Sequence, residues 1–395
     1  MENSFVHLHA HTEYSMLDGA AKIEPFLNRI LELEQPGAAI TDHGNLYGAL
    51  EFYNSAIKKK LKPIIGYEAY VISDSRFERP DRKNNKRYHL TLLAENTVGY
   101  WNLVEMASKA FTEGYYYKPR IDYELLKEYS EGIIALSGCL GGEIAQLLAP
   151  DGSVEEGNQG QTRSFDDALK KAEFYQSIFG ENNFFIELHK HGIKQQEDIL
   201  PDLLKISEKL SAPLVATNDS HYVHSDDASA HDALLCVQTN ATLDDENRFK
   251  FDGSGFYIKS SEEMRDLFPN EKFPDACNNT LKILDRVEYE FEKDTYYLPD
   301  FPIDDSNKNV DEYLKDKVYQ GAEGLYGELT SELEERINYE LEVIESMGFA
   351  SYFLIVGDLI NYAKSNGIRT GAGRGSAAGS IVSYCLGITG IEPLK

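Results

Sequence analysis

The chain has 395 residues, of which 42% are hydrophobic and 27% charged, and its formal net charge is −27. This length allows two or three domains with full cores. The acidic balance argues against nonspecific nucleic-acid binding by this chain alone, because phosphate contacts need Lys and Arg. No apolar run approaches the roughly 20 residues of a membrane span, and the start lacks a signal peptide's pattern. The four cysteines have no paired spacing, which is typical of a reducing cytoplasm.

Up to about residue 235, short apolar segments alternate with amphipathic ones. Seven apolar segments are candidate strands: 5–10, 38–42, 63–71, 89–94, 132–137, 183–189 and 213–218. The intervening segments have helical spacing, and Gly180 predicts the end of one helix. Repeated strand–helix units indicate a parallel α/β fold. Seven strands favour a closed or nearly closed barrel, with an open doubly wound sheet as the alternative.

Three of the ten histidines lie at alternate positions near the start of the chain, in the sequence VHLHAHT. Alternate residues of a strand share one face, so His7, His9 and His11 would project together. Two imidazoles at this spacing can hold one divalent metal. For a single His-x-His motif, a polar sheet face with incidental histidines is about as common.

Further metal-capable side chains lie at the ends of the predicted strands. They are Asp18, His43, Glu68, His89, Cys139, Asp219 and His221. In a barrel of parallel strands the C-terminal strand ends form one rim, where active sites are built. His89 is an exception, because it lies at the start of its strand. Each residue alone could serve a turn, the core or the surface. Together with His9 and His11 these seven make nine metal-capable side chains on one rim, which favour a metal site.

The last hundred residues have a different pattern. A Pro- and Asp-rich segment over 296–305 predicts a linker, and we expect the domain boundary near residue 290. Two helices with apolar stripes follow, and then a glycine-rich segment, 371–380, leads into an apolar run. A glycine-rich turn that opens a helix offers free N–H groups and a positive dipole end to an anion. A tight packing loop is about as common, and no Lys follows as in a Walker loop.

The metal-capable residues carry a family resemblance. The set His9-x-His11, Asp18, Thr41-Asp42-His43-Gly44, Glu68, His89, Cys139 and Asn218-Asp219-x-His221 resembles the PHP (polymerase and histidinol phosphatase) domain. More narrowly, residues 7–19 resemble the opening of the α subunits of bacterial DNA polymerase III, the C-family replicative polymerases, and the resemblance runs to the end of the chain. It implies an α/β fold. A seven-stranded distorted β/α barrel would cover 1–290, and a linker with the first, mainly α/β part of a polymerase palm would cover 291–395.

The resemblance implies up to three divalent metals, whether zinc, manganese or iron, in one cluster. The first metal would be held by His9, His11, Glu68 and Asp219, the second by Glu68, His89 and Cys139, and the third by Asp18, His43 and His221. Imidazole and thiolate suit zinc, whereas carboxylates also admit manganese or iron. Three further histidines, His7, His189 and His191, lie outside the matched set and are predicted to be core or supporting residues.

By the same resemblance the barrel is a metal-dependent phosphoesterase. Removal of 3′ nucleotides from a growing DNA strand is the favoured reaction, and pyrophosphate hydrolysis is the weaker option. Arg374, Gly375 and Ser376 would contact the phosphates of an incoming nucleotide. The Mg²⁺-binding aspartates of the palm come later in the family, so we do not expect this chain to polymerise by itself.

The implied partners are primer-template DNA and dNTP, in the cytoplasm and without a membrane. The sliding clamp and other replisome subunits would bind through parts that this chain lacks. Two alternatives stay open. One is a free-standing phosphatase of the histidinol-phosphatase type, and the other is a PHP module whose metals only stabilise the barrel.

Overall fold

A computed structural model describes residues 3–81, 84–150, 162–251, 253, 255–289, 291, 297–303, 308–373 and 375–394. The chain forms two compact units, Met1–Phe291 and Glu292–Lys395. We refer to them as the barrel unit and the helical unit.

The barrel unit is built on one mixed sheet. Its strands are β1 (Gly37–Ile40), β2 (Lys62–Ile72), β3 (Tyr88–Ala94), β4 (Arg120–Asp122), β5 (Ile133–Leu136), β6 (Phe184–Leu188) and β7 (Leu214–Ala216). The strand order is β1-β2-β3-β5-β6-β7, and β4 pairs with the far end of β2. β3 is antiparallel to both β2 and β5, and the other pairs are parallel.

The prediction of an all-parallel sheet is therefore wrong at β3. A parallel neighbour needs a long crossover, usually a helix. The described residues between β2 and β3 contain no α-helix, so the chain returns directly and β3 runs in the opposite direction.

The predicted first strand, 5–10, is extended, but it makes isolated bridges instead of a continuous ladder. The sheet still has seven strands, because it includes β4, which was not among the predicted strands. His7 pairs with Ala38 of β1, and Ala10 pairs with Ser220 beyond β7. The His11 amide donates to the Ser220 carbonyl at 2.7 Å. Because this segment is bonded to both edges of the strand order, it closes the sheet. The predicted distorted barrel is confirmed over the open doubly wound sheet.

Ten α-helices of the barrel unit lie within the described residues. They are α1 (Ile23–Glu32), α2 (Ala49–Lys58), α3 (Thr97–Thr112), α4 (Tyr123–Glu128), α5 (Glu143–Leu148), α6 (Phe165–Phe179), α7 (Lys194–Leu210), α8 (Ala228–Thr239), α9 (Ser261–Leu267) and α10 (Asn278–Arg286). α1 buries Ile23, Phe26, Leu27 and Ile30, the spacing of one helical face. α6 ends at Gly180 with φ of 89°, as predicted.

The helical unit contains α11 (Val310–Tyr326), α12 (Ser331–Ser346), α13 (Ala350–Ser365) and α14 (Ile381–Cys385). The predicted stripe of α12 is buried at Leu333, Ile337, Leu341 and Ile344. The mainly α/β content expected here is not found, because the described residues of this unit include no strand. A strand needs a paired neighbour, and the described part of this unit supplies none.

Among the described residues, no helix alone has the length and apolar character to cross a membrane. α12 and α13 meet that test of length and composition only as a pair, and the pair is bent by 113°.

Candidate metal centre

The structure brings the nine predicted metal-capable side chains into one cluster. Glu68 lies within β2, and His43, just beyond β1, forms an isolated parallel bridge with it. The Gly44 amide donates to the Glu68 carbonyl at 2.8 Å, and the Glu68 amide donates to the Asp42 carbonyl at 3.1 Å. This continuation of the β1–β2 pairing sets the His43 imidazole beside the Glu68 carboxylate.

The reversed direction of β3 explains why His89 joins the cluster. His89 is at the start of β3 and pairs with Tyr70, near the end of β2. In an antiparallel neighbour the start of a strand lies beside the end of its partner, so His89 reaches the same rim. Its amide donates to the Gly141 carbonyl at 2.9 Å, which holds the loop containing Cys139 against it.

Two special backbone positions aim the remaining carboxylates. A Cβ at Gly19 would lie 2.0 Å from the Thr12 carbonyl oxygen, so only glycine lets the loop that carries Asp18 lie so close to the N-terminal segment. Asp219 has φ of 41°, a left-handed conformation that costs a non-glycine residue about 1–2 kcal/mol. Hydrogen bonds of the next residue, Ser220, to the N-terminal segment hold it there.

Glu68 is at the centre of the cluster. Its Oε1 lies 3.1 Å from His89 Nδ1, 3.4 Å from His9 Nε2 and 3.5 Å from Cys139 Sγ. Its Oε2 lies 2.6 Å from His43 Nδ1 and 3.7 Å from His11 Nε2. One carboxylate thus contacts five of the other eight side chains.

The other two carboxylates join the histidines at the edges of the cluster. Asp219 Oδ1 lies 3.1 Å from His11 Nε2 and 3.5 Å from His9 Nε2. Asp18 Oδ2 lies 2.8 Å from His43 Nε2 and 3.9 Å from His221 Nε2. The His11 ring stacks between those of His43 and His221, with centroids 4.1 and 4.3 Å away.

The buried ligand atoms of this cluster fit divalent metals. Several buried atoms make no hydrogen bond of good geometry, and most of them face one another at ion-pair distance: His9 Nε2, His11 Nε2, Asp18 Oδ1, His43 Nδ1, Glu68 Oε2 and Asp219 Oδ1. Ligand atoms lie within 4.8 Å of one another in the groups His9–His11–Asp219, His43–Glu68–His89 and His11–His43–His221. Imidazoles and carboxylates gathered in this way form a metal-binding arrangement.

Without a cation, His9 and His43 carry positive charge beside the carboxylates, because the pKa of each is held well above its usual value. Burial lowers the pKa of His9, but Glu187 and Asp219 outweigh it and hold that pKa well above the usual value. Burial likewise opposes ionisation of Glu68, yet His89 and His43 hold its pKa well below its usual range. Burial and the Glu68 charge raise the pKa of the Cys139 thiol to about 11.

Sequence reasoning missed Glu187 of β6, which supports His9. Its Oε1 accepts from His9 Nδ1 at 2.7 Å and from Thr217 Oγ1 at 2.7 Å, and its Oε2 accepts from the Gly138 amide at 2.9 Å. An ionised carboxylate can only accept, so the proton is on His9 Nδ1 and Nε2 faces the cluster. The available signal was its alternation with His189, which places both on one strand face.

Ser15 and Asp42 orient His11 in a similar way. The Ser15 hydroxyl donates to Asp42 Oδ1 at 2.7 Å and accepts from His11 Nδ1 at 3.1 Å. The Ser15 oxygen also accepts from the His43 amide at 3.1 Å. The proton on His11 is thereby kept on Nδ1, and Nε2 is presented to Asp219. Such partners behind a ligand fix its tautomer and ring orientation.

The three histidines outside the predicted set have supporting or core positions, as expected. His189 Nε2 lies 2.9 Å from Thr217 Oγ1 and 3.1 Å from Glu187 Oε1. His7 Nε2 bonds to the Lys259 carbonyl at 2.9 Å, so His7 does not join His9 and His11 in the cluster. Burial lowers the pKa of His7 to about 4 and that of His191 to about 3.

In the helical unit, the start of the helix that follows the glycine-rich segment differs from its prediction. Gly375 and Ser376 are exposed in a 3₁₀ turn, Gly375–Gly379, and Arg374 lies outside the described residues. The amides of Ile381 and Val382, at the start of α14, both donate to the Glu340 carboxylate, at 3.2 and 3.1 Å. The first amides of this helix are therefore not free for an anion.

A cavity of about 460 Å³ opens on the cluster. This volume is within the range of small-molecule sites. Seven of the nine residues line it, namely Asp18, His43, Glu68, His89, Cys139, Asp219 and His221. The remaining walls include Tyr70, Arg87, Tyr117 and Lys118.

Two family models match the chain: "PHP domain" over residues 7–191 and "Bacterial DNA polymerase III alpha NTPase domain" over 312–395. The chain is 44% identical to DNA polymerase III subunit alpha of Borreliella burgdorferi, covering 99% of this chain and 33% of that protein. It is 45% identical to the same subunit of Saccharopolyspora erythraea, covering 99% of this chain and 34% of that protein. The chain thus spans about a third of the length of these relatives.

Among solved structures, an amidohydrolase from Chromobacterium violaceum matches with a TM-score of 0.35 and 13% identity, covering 55% of this chain and 88% of that one.

Proposed function

Because this chain belongs to the bacterial DNA polymerase III α-subunit family, we propose that it forms part of a replicative DNA-directed DNA polymerase. We further propose that its barrel unit is a metal-dependent 3′–5′ exonuclease. The polymerase activity, with Mg²⁺ in the palm, is proposed for the full-length protein. Its partners would be primer-template DNA, dNTP, the sliding clamp and other replisome subunits.

Nine side chains would hold up to three divalent ions, whether zinc, manganese or iron. His9, His11, Glu68 and Asp219 would hold the first, Glu68, His89 and Cys139 the second, and Asp18, His43 and His221 the third. The observation that carries this proposal is the convergence of buried imidazole and carboxylate ligand atoms, which lie within 4.8 Å of one another in three groups of this cluster. When bound, such ions supply Lewis-acid polarisation of a phosphodiester and activation of a water.

The protein's own residues would position this chemistry. Glu187 and Ser15 hold His9 and His11 through Nδ1, so that each presents Nε2. His221 is held likewise, because its Nδ1 donates to the Asp219 carbonyl at 2.8 Å. Because these histidine side chains are already fixed, they would lose little further freedom when a metal binds. The cavity beside them would admit the last nucleotide of a strand.

The test uses the purified chain, metal analysis and a 5′-labelled single-stranded oligonucleotide. We expect bound divalent metal, stepwise loss of 3′ nucleotides, and loss of this activity with chelator or in Asp219→Asn. Faster turnover of a small phosphate monoester than of the oligonucleotide would support the histidinol-phosphatase alternative.

Two results would contradict the exonuclease. A metal-loaded chain that leaves the oligonucleotide intact, with Asp219→Asn only lowering the unfolding midpoint, would indicate structural metals. A chain that binds no metal under zinc-replete conditions would exclude the metal site itself.

The glycine-rich segment would contact nucleotide phosphates through Arg374, Gly375 and Ser376. Gly375 has φ of 51°, and a Cβ there would meet nothing within 4 Å. The exposed 3₁₀ turn has room for a ligand to approach its backbone. In the full-length polymerase, Ser376→Ala should raise the KM for dNTP without changing the exonuclease rate.

A further inference from the structure

One wall of the 460 Å³ cavity carries aromatic and basic side chains that the proposed metal chemistry does not use. Tyr70, Arg87, Tyr117 and Lys118 line this wall. The same cavity is also lined by the carboxylates Asp18, Glu68 and Asp219, so positive and negative side chains line different parts of one cavity. A phosphate-bearing substrate approaching a chain of net charge −27 needs such local cations.

The Tyr70 ring contacts both Lys118 and two of the predicted metal ligands, His89 and His43. Its ammonium nitrogen lies 5.0 Å from the centre of the Tyr70 ring. The Tyr70 ring centre lies 5.3 Å from that of His89 and 6.1 Å from that of His43. A cation over a ring face is held by the negative face of the ring. This arrangement fixes a positive charge next to the place where a phosphodiester would be cleaved.

Arg87 brings a second positive charge to the same cavity. It is two residues before His89, and alternate residues of extended backbone share a face. Arg87 is buried, with only 8% of the residue exposed. A guanidinium can bind a phosphate with two parallel hydrogen bonds.

Tyr117 lines the same cavity and is exposed. The Tyr116 amide donates to the Lys118 carbonyl at 3.0 Å, which forms a tight turn around Tyr117. Its φ is 63°, an uncommon conformation for a bulky residue. Strained residues of this kind cluster at ligand sites. Tyr117 is 56% exposed, whereas Tyr115 nearby is 54% exposed but does not line the cavity.

We propose that this wall binds a single-stranded 3′ end, with Tyr117 stacking on an unpaired base and Lys118 and Arg87 contacting its phosphates. The inference rests on the proposed exonuclease and names its substrate as single-stranded, because a paired and stacked base does not offer its face to an aromatic ring. Stacking of this kind accepts any base. An enzyme with this site would remove nucleotides irrespective of sequence.

The first test measures equilibrium binding of a 5′-fluorescein single-stranded oligonucleotide with phosphorothioate linkages at its 3′ end. The protein is the Mn²⁺-loaded chain, and the readout is fluorescence anisotropy. Tyr117→Asn keeps a residue that tolerates left-handed backbone and should weaken binding about tenfold, the size of one base–aromatic stack. The matched control Tyr115→Asn should bind as the unchanged protein does, and Tyr117→Phe should retain binding.

The second test measures the salt dependence of the same binding. Lys118→Gln should reduce the slope of log K against log salt by about 0.7, as expected for one phosphate contact on a single strand. Lys127→Gln is the control, because Lys127 also lies over a ring, that of Phe174 at 5.4 Å, but does not line the cavity. Its slope should be unchanged. Equal unfolding midpoints would show that the variants fold.

The outcomes separate this inference from the proposed reaction. Equal losses in Tyr117→Asn and Tyr115→Asn, an unchanged slope in Lys118→Gln, no binding by the unchanged chain, or tighter binding of blunt duplex would each overturn the inference. If the chain shortens an ordinary oligonucleotide while Tyr117→Asn binds normally, the exonuclease stands and this surface does not. If binding depends on Tyr117 but no strand is shortened, the surface stands and the exonuclease fails.

Discussion

The two predicted phosphate-handling regions of this chain are built differently. In the barrel unit, His9 and His11 are buried, and each is held at Nδ1 by another buried side chain. In the helical unit, Gly375 and Ser376 are exposed, and the Glu340 carboxylate already occupies the start of the next helix. In a buried cluster, packing within the same chain fixes the positions of the ligand atoms. In an exposed turn, those positions become fixed only when a ligand or another part of the protein packs against it.

The largest expected effect comes from removing the central charge of the cluster. Glu68→Gln keeps the size of the side chain but removes the carboxylate that contacts five predicted ligands. We expect loss of bound metal and of exonuclease activity by more than the roughly 10–100-fold typical of a supporting residue. Metal analysis and oligonucleotide shortening measure both. Glu173→Gln, an exposed change on α6, is the control. Full metal content in Glu68→Gln would contradict the assignment.

The second effect is on pH dependence. Carboxylates hold the pKa of His9 well above its usual value, and that of Cys139 is raised to about 11. Both groups are protonated at neutral pH, so a metal must displace their protons. Apparent metal affinity should therefore rise with pH, by up to about tenfold per unit for each displaced proton. Competition with a chelator of known affinity at several pH values would measure this.

The metal-free protein should show the opposite trend. A group whose pKa is raised by folding, such as His9 or His43, stabilises the fold fully below its unfolded pKa. That contribution is lost as pH rises through the raised pKa. Thermal unfolding with chelator should thus show a falling midpoint from neutral toward alkaline pH. A midpoint that rises over this window without metal would refute these shifts.

A smaller effect tests the residue that sequence reasoning missed. Glu187→Gln retains the shape of the side chain but weakens its hold on His9 Nδ1. We expect a loss of metal affinity of about 10–100-fold with an otherwise intact fold. The same chelator competition and an unfolding curve give both quantities. If affinity is unchanged, His9 is oriented by other contacts.

The smallest effect belongs to the helical unit. Glu340→Gln weakens the acceptor for the Ser380 hydroxyl and for the Ile381 and Val382 amides. Loss of a helix cap of this kind costs about 1–2 kcal/mol in the free energy of unfolding. Hydrogen exchange at the two amides should quicken, and metal content should stay unchanged. Slower hydrogen exchange would contradict the role of Glu340 as a helix cap, and loss of metal would contradict the independence of the metal cluster from this cap.

The residues of the cluster could be predicted because their side-chain types carry the chemistry. Imidazole, carboxylate and thiolate groups such as those of His9, Glu68 and Cys139 together indicate a metal site, whatever the direction of the strands that carry them. Strand direction itself could not be read, because the same apolar pattern in β3 suits a parallel or an antiparallel neighbour. The position of His89 at the start of its strand was therefore unexplained until the reversal was seen.

Supporting residues were harder to predict for a physical reason. Glu187 lies in an apolar run, FFIEL, and a single carboxylate there has no local pattern that names its partner, His9. Glu340 is likewise separated by 40 residues from the Ser380 hydroxyl that it accepts from. Hydrogen bonds between distant segments leave no periodicity in the sequence. Local patterns identify the elements, but only the folded chain pairs them.

The closure of the barrel by its own N-terminal segment has a consequence for biosynthesis. The His11 amide bonds to Ser220, some two hundred residues later. At translation rates of about 5–20 residues per second, the earliest part of the chain waits roughly 10 to 40 s for its partner. During that interval its histidines are exposed to cellular metals and its apolar side chains to other nascent chains. A ribosome-bound chain that ends before residue 220 should consequently depend on chaperones.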